Sequence, residues 1–375
     1  MPDDLIGATR VKITAAISRD TAPAPTLEQV ELGEPRADEV LVRIVAVGIC
    51  HTDLRAHQGG ILPTPKPVVL GHEGAGIVEK VGASVSHLKP GDHVVLSGSS
   101  CGHCESCLDH HPSYCREGMA RCFSGQRVDG SSALSQQGVK LHGHFFGQSS
   151  FATHCVADAR GAVRIDPDIP LHIAAPLACA GITGAGSVFN SFALKPGQSI
   201  AVFGAGGVGL SAIMAAAIVG AKHIIAIDPN PQRRELAQSL GATAAIDSQV
   251  ENLASAVRDI APAGVNFAFI TAGVAPVFDA AIASLAPRGV AGFVASPRQP
   301  WTGHLMSLLA GGKSLRGIQG GDSDPQTTIP MLLDHWRQGR FPVEKLITAY
   351  DFSDIGAAFA DFHAGKAIKP VLKMP

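Results

Sequence analysis

The densest chemistry in this sequence is a run of four cysteines, Cys101-x2-Cys104-x2-Cys107-x7-Cys115. Thiolates at those intervals, in a loop with Gly102 and polar neighbours, can wrap one ion tetrahedrally, and four sulfurs close its coordination shell. A closed shell leaves no position for water, so such a zinc site is structural. Its binding free energy would hold together a lobe that has no apolar core of its own. Free loop thiols or a redox pair are the other reading, but three short intervals of this kind are uncommon by accident in a reducing compartment.

Gly204-Ala205-Gly206-Gly207-Val208-Gly209 carries glycines at spaced positions directly after an apolar run, Ser199 to Phe203, and before an Ala-rich one. That context points to a dinucleotide: a Cβ would block the tight turn and the approach of backbone amides to a pyrophosphate at a helix N-terminus. The next apolar run ends at Asp228, 24 residues beyond Gly204. This is close to the spacing of an acid that hydrogen-bonds the adenosine ribose. A carboxylate there repels a 2′-phosphate, so NAD is expected rather than NADP. Arg233 could flank the ribose or adenine and soften that preference, although a solvated arginine at a helix start has the same spacing.

Four further cysteines stand at positions 50, 122, 155 and 179. Cys50 lies in Gly48-Ile49-Cys50-His51-Thr52-Asp53 at the end of a β-rich run, and Cys179 in Ala178-Cys179-Ala180-Gly181 before a Gly-rich helix start. Between them lies Gly71-His72-Glu73-Gly74. Two thiolates and an imidazole would leave a tetrahedral zinc one open position, as a Lewis-acid site requires. Residue types alone do not separate this set from buried thiols and a core histidine.

Positioning these groups takes two domains, the expectation for a chain of 375 residues. Hydrophobic residues at 46% argue against disorder, and 42 glycines with 25 prolines supply many tight connections. The first part alternates short β-rich runs with turns, at Val40 to Val47, Ala75 to Val81 and Asp92 to Leu96. From Lys195 the pattern becomes βαβ: Ser199 to Phe203, a helix over Leu210 to Val219, then Ile224 to Asp228. Asn266 to Ile270 and Val290 to Ala295, with a helix over Phe278 to Leu285 between them, extend the same parallel sheet. From about Asp322 the text returns to mixed helix and strand, so one domain is built from both ends of the chain.

A net charge of −2 with no Lys/Arg-rich block lacks the footprint of a phosphate-backbone binder, so no nucleic-acid partner is expected. Met1-Pro2-Asp3-Asp4 has neither the basic start nor the apolar run of a secretory leader. The longest apolar run, Leu210 to Val219, is far shorter than the roughly 20 residues of a bilayer crossing. A cytoplasmic protein without a membrane span is expected.

Taken in order along the chain, Gly48-Ile49-Cys50-His51-Thr52-Asp53-Leu54, Gly71-His72-Glu73-Gly74-Ala75-Gly76, the four-cysteine loop and the glycine turn closely resemble the zinc-containing medium-chain alcohol dehydrogenases. The segments Phe123 to Ser131, Phe145 to Ala152 and Gly321 to Gln326 resemble the aryl- and allyl-alcohol branch, with its benzyl alcohol and geraniol dehydrogenases. The resemblance implies an α/β protein: a GroES-like, mostly-β catalytic domain over 1–185 and 322–375, with a Rossmann, doubly wound parallel-sheet nucleotide-binding domain over 186–321. It implies two zinc ions, one held by Cys50, His72 and Cys179 and one by Cys101, Cys104, Cys107 and Cys115. Glu73 would lie just behind the catalytic metal, and Asp53 would hydrogen-bond the ring of His72 and fix its tautomer. His51 and Lys369 match basic positions that contact the cofactor pyrophosphate. Thr52 would accept the alcohol proton while hydride moves to the nicotinamide of NAD.

Arg55 stands where well-known members carry a histidine that completes the proton relay, and a guanidinium cannot act as a base. Water, or His57, is expected to take that part. Phe145 and Phe146 match positions lining the substrate channel, with core packing as the alternative for each. Ser97, where relatives often carry an aromatic wall, implies extra room beside the zinc. The expected reaction is reversible oxidation of a primary aromatic or allylic alcohol with NAD. The alternatives are a glutathione-adduct formaldehyde dehydrogenase, a secondary-alcohol dehydrogenase, or a catalytically silent NAD-binding scaffold. A homodimer or homotetramer is implied, with the run Val290 to Ala295 well placed to take part.

Overall fold

Val40 to Val47 reads as a strand in the sequence, and in the computed structural model it is the middle of a ten-residue strand, Glu39–Gly48. The structure describes residues 10–20, 22–59, 64–297 and 299–375; Met1 to Asp4, from which no leader is expected, lie outside them. Contacts divide the chain into two units, one comprising the residues up to Cys179 with Asp324–Pro330 and Val343–Pro375, the other Ala180–Ser323 with Met331–Pro342. Against the division at 185 and 322, the second unit begins earlier because Ala180–Gly186 is a helix packed on Gly207–Val219. The two approach so closely that a Cβ on Gly184 would lie 2.1 Å from the Val208 carbonyl oxygen.

The first unit is built on two sheets. In the larger, Glu39–Gly48 pairs antiparallel with Glu73–Val81, His154–Asp158 and Lys369–Lys373. His93–Leu96 and Ala162–Ile165 extend the sheet on one side and Ile347–Asp351 on the other. The smaller sheet runs Val68–Val69, Val11–Ser18, Thr26–Leu32, Leu134–Gln136, Val139–Lys140. Its Val/Ile-rich strands bury Ile13, Ile17 and Val30 in a core shared with Val42, Ile44, Phe145, Phe151 and Phe359.

Register is what assembles the chemistry. Gly48 pairs with Glu73 on one side and Val371 on the other, so Cys50, His72, Glu73 and Lys369, distant in sequence, come from adjacent strand ends. A Cβ at Gly48 would lie 2.0 Å from Oε2 of Glu73, so any other residue there would have to displace that buried carboxylate.

The second unit is a six-stranded, all-parallel sheet. Its order is Ala244–Ile246, His223–Ile227, Ser199–Phe203, Val265–Ile270, Leu285–Phe293, Ser314–Gly317, the doubly wound arrangement with the chain reversing direction beside Ser199–Phe203. Helices cover both faces of such a sheet, so its strands are continuous apolar runs, and all five residues of Ser199–Phe203 are buried. The first helix starts at Gly207 rather than at Leu210, because the low helix propensity of Gly207 and Gly209 masks in sequence a first turn that the free amides define. Val290 to Phe293, part of the run expected to be well placed for assembly, is hydrogen-bonded on both sides within Leu285–Phe293 and so offers no open strand edge; the sheet's edges are Ala244–Ile246 and Ser314–Gly317. Among the described residues no single helix is long and apolar enough to cross a membrane.

Candidate metal and cofactor sites

Cys50 caps the helix His51–Gln58, and its backbone N–H donates to Oδ2 of Asp53, the third residue of that helix, at 3.0 Å. Oδ1 of Asp53 accepts the backbone N–H of Gly71 at 3.1 Å and lies 3.0 Å from Nδ1 of His72. With Nδ1–H spent on a fully buried carboxylate, Nε2 of His72 presents a lone pair. Nε2 is buried with no hydrogen-bond partner.

That orphan atom is aimed at sulfur. Ligand atoms of Cys50, His72, Glu73 and Cys179 all lie within 4.8 Å of one another, and the two Sγ atoms are 4.0 Å apart. A tetrahedral zinc with Zn–S bonds of about 2.3 Å places its sulfurs roughly 3.8 Å apart, so the donor set fits that ion. The hydrogen bond from Cys179, with His72 and Lys369 nearby, holds the Cys50 thiol well below its usual range. The same bond and burial push Cys179 well up.

Glu73 is fully buried, and burial pushes its carboxyl up to about 7 against the pull of Lys369. Nζ of Lys369, a residue expected to contact a cofactor pyrophosphate, lies 2.9 and 3.0 Å from the Glu73 oxygens and donates to the Ile49 carbonyl at 3.2 Å. Although burial opposes it, the Glu73 charge holds that ammonium above its usual range. His51 is exposed, with its ring 4.4 Å from that of Phe362.

Thr52 is half-buried, with Oγ1 3.8 Å from Cys50 Sγ. Arg55 is exposed on the same helix, whereas His57 is buried with Nδ1 2.5 Å from Ser18 Oγ, and burial lowers its pKa. The two phenylalanines part company. Phe145 is a core residue, 0% exposed and edge-on to His72, while Phe146 is half-buried and stacks on the His72 ring at 4.4 Å and 24°. Phe123 closes on both, edge-on at 6.0 and 5.0 Å. Ser97 is not simply an opening, because its hydroxyl donates to the Ala178 carbonyl at 2.8 Å, one residue before Cys179.

The four-cysteine loop also closes on itself. Cys107 Sγ lies 3.9 Å from Cys101 and 3.5 Å from Cys104, and all four sulfurs fall within 4.8 Å of one another. Backbone N–H groups of Cys101 and Cys104 donate to Cys115 and Cys101 sulfurs at 3.2 and 3.3 Å. A backbone N–H from Arg116 leads the influences that hold Cys104 down at about 6, while burial pushes Cys107 up to about 12. The lobe's first helix, Glu105–Leu108, buries no residue, and Leu108 and Met119 are exposed. Cys122 and Cys155 belong to neither cluster and are buried thiols pushed far up by desolvation.

In the second unit, Gly204 adopts φ +108° and a Cβ on it would meet Thr271 Oγ1 at 2.4 Å. Gly209 packs its α-carbon against the Gly204 carbonyl, where a Cβ would fall at 1.8 Å, while Gly206 faces open space. Gly207 and Val208 open the helix beside it. This cradle, with unspent amides at the helix start, fits a pyrophosphate. Asp228 is buried, and its oxygens accept the N–H groups of Ala205 at 2.8 Å and Asn230 at 2.9 Å. Arg233 lies in the first turn of Pro231–Ser239, where its own N–H donates to the capping Asn230. What sequence reasoning missed is Gln148, whose buried amide bonds the backbone around His72, and the Glu73–Lys369 pair.

Comparison with known proteins identifies the family. Residues 36–167 match the family described as "Alcohol dehydrogenase GroES-like domain", and residues 207–335 match "Zinc-binding dehydrogenase". The chain is 46% identical over 366 residues to a geraniol dehydrogenase of Castellaniella defragrans, covering 96% of this chain and 98% of that one. It is 34% identical over 367 residues to an alcohol dehydrogenase class-3 of Myxine glutinosa, covering 96% and 97%. The crystal structure of a benzyl alcohol dehydrogenase from Acinetobacter calcoaceticus superposes with a TM-score of 0.93 at 38% identity, covering 97% of this chain and all of that one. With the GroES-like and Rossmann units, both sulfur-rich donor sets and these relatives in agreement, the chain belongs to the zinc-containing medium-chain alcohol dehydrogenase family.

Proposed function

We propose that the protein reversibly oxidises primary aromatic or allylic alcohols, of the benzyl alcohol and geraniol type, to aldehydes with NAD. The observation that carries this reading is the aromatic ring of Phe146 stacked on His72, a metal ligand in this reading, which gives a planar substrate an apolar wall beside the reacting atom. The geraniol and benzyl alcohol dehydrogenase relatives point the same way.

Cys50, His72 and Cys179 would hold the catalytic zinc, and Cys101, Cys104, Cys107 and Cys115 the structural one. A zinc ion with one open position supplies Lewis-acid charge that brings an alcohol hydroxyl within reach of ionisation at neutral pH, and NAD supplies the hydride acceptor. Asp53 keeps the His72 ring in the tautomer that offers Nε2. The Thr52 hydroxyl would accept a hydrogen bond from the alcohol O–H and pass its own proton on toward the cofactor ribose as the alcohol ionises. Arg55, exposed and permanently charged, orders water or phosphate but holds no proton for release. Asp228, pinned by two amides, presents a carboxylate to the adenosine ribose and disfavours a 2′-phosphate, which supports NAD over NADP. Leu305, Met306 and Leu309 are exposed at 81, 62 and 72% near the free edge strand Ser314–Gly317, a surface suited to burial in a homodimer or homotetramer.

The test is NAD reduction with benzyl alcohol, geraniol and ethanol, beside a Cys179→Ser variant. Turnover of the first two that the variant loses is expected. Turnover of none, in protein carrying zinc and NAD, would overturn the substrate assignment and favour the adduct-oxidising alternative.

A further inference from the structure

Gln148 is 2% exposed, and its side-chain amide is fully engaged. Oε1 accepts the Gly74 N–H at 3.2 Å, and Nε2 donates toward the carbonyls of His72, Leu96 and Ser97 at 3.1, 3.0 and 3.1 Å. One neutral amide thus ties the stretch carrying His72 and Glu73 to the end of the strand His93–Leu96. Ser97 in turn donates to the carbonyl of Ala178, so the same tie reaches the residue before Cys179.

The segment that presents Gln148 is held in unusual backbone. His144, Phe146 and Ser149 have φ of 56, 55 and 59°, a region side chains rarely adopt, and Gly147 has φ of 72°. Ser149 Oγ accepts the Phe145 N–H at 2.9 Å and donates to the Val69 carbonyl at 2.6 Å, which locks the coil. Strain of this kind persists only where the surroundings over-determine it, and it concentrates at functional sites. Phe146, stacked on His72, and Gln148, bonded to its backbone, both come from this coil.

We propose that Gln148 is a positioning residue for the catalytic metal: its amide fixes the His72 peptide while Asp53 fixes the His72 ring, and together they set where Nε2 points. This rests on reading Cys50, His72 and Cys179 as the catalytic metal centre. An amide suits the place because it offers an acceptor and donors without adding charge next to the stretch that carries His72 and Glu73.

The test uses the full chain, wild type beside Gln148→Met, which keeps the length without polar atoms, and Gln148→Glu, which keeps acceptors and loses the donors. Wild type must first carry two zinc ions, one of which Cys179→Ser loses. If it does not, the metal-centre reading fails, and this inference falls with it. If it does, both Gln148 variants should release that ion to a chelator about tenfold to a hundredfold faster, with the four-cysteine ion retained. Their cobalt-substituted forms should show displaced visible bands, with kcat lowered more than KM is raised. Wild-type release rates and spectra in both variants would overturn the proposal. So would equal loosening of both ions, or failure of both variants to fold, since either outcome assigns Gln148 to the fold rather than to the site.

Discussion

Nζ of Lys369 sits 2.9 Å from Oε1 of Glu73, and the two side chains, 296 residues apart in sequence, are 3 and 0% exposed. A buried pair of this sort is poor evidence of net stabilisation, but breaking it leaves an uncompensated charge. Lys369→Met should therefore lower stability by about 3 to 5 kcal/mol, and a Lys369→Met/Glu73→Gln double variant should recover part of that. Thermal unfolding checks the stability, and NAD titration checks the alternative: a variant that loses NAD affinity at unchanged Tm would return Lys369 to the pyrophosphate.

The two sulfur sites should respond differently to losing one ligand. Cys179→Ser should bind one zinc in place of two and lose turnover while keeping its Tm within a few degrees. Cys107→Ser should also bind one zinc, but it removes the closure of a lobe whose first helix buries nothing. A loss of about 3 kcal/mol, a modest share of a structural zinc site's binding free energy, would lower Tm by roughly 6 to 12 °C. Metal analysis with calorimetry decides. Matching Tm values in the two variants would contradict the division of roles.

Phe146→Ala should discriminate among substrates. The ring offers a planar alcohol an apolar face, worth about 1 to 3 kcal/mol in a packed pocket, and offers ethanol very little. The expected result is a tenfold or greater fall in kcat/KM for benzyl alcohol with a smaller one for ethanol. An equal fall for both would mean that the ring serves only to orient His72.

Much of this was legible in the sequence because it is local. Period-two runs of Val and Ile placed the strands around Glu39–Gly48, and Gly204 to Gly209 placed the cofactor cradle. The sulfur spacing likewise gave the closed four-cysteine cluster. Gln148 was invisible because a neutral amide in a loop has no spacing rule; its meaning lies in carbonyls about 50 to 76 residues away. Lys369 was read from its motif alone, and the register that brings it onto Glu73 depends on strands from opposite ends of the chain. Ser97 was read as missing volume, while its hydroxyl is a bond to the turn before Cys179.

His144 gives a pH dependence with a definite sign. The residue is buried in left-handed backbone, and its Nε2 accepts the Ala133 N–H at 3.1 Å, which requires the neutral ring. Burial, then the charge of Arg127, which is ion-paired with Glu39 at 2.6 Å, pushes its pKa from 6.5 down to about 4. The unfolded chain therefore takes up this proton first as pH falls. Stability drops from about pH 6.5 until about pH 4, below which both states hold the proton. Over pH 6.5 to 5 the loss amounts to about 1.5 kcal/mol from this group alone. His144→Asn keeps a residue that tolerates φ of 56° and offers an acceptor, but it does not titrate. The variant should be less stable than wild type at pH 7 and should close about 1.5 kcal/mol of that gap by pH 5. Urea midpoints followed by circular dichroism at the two pH values measure this, and parallel losses in the two proteins would show that His144 is not the group responsible.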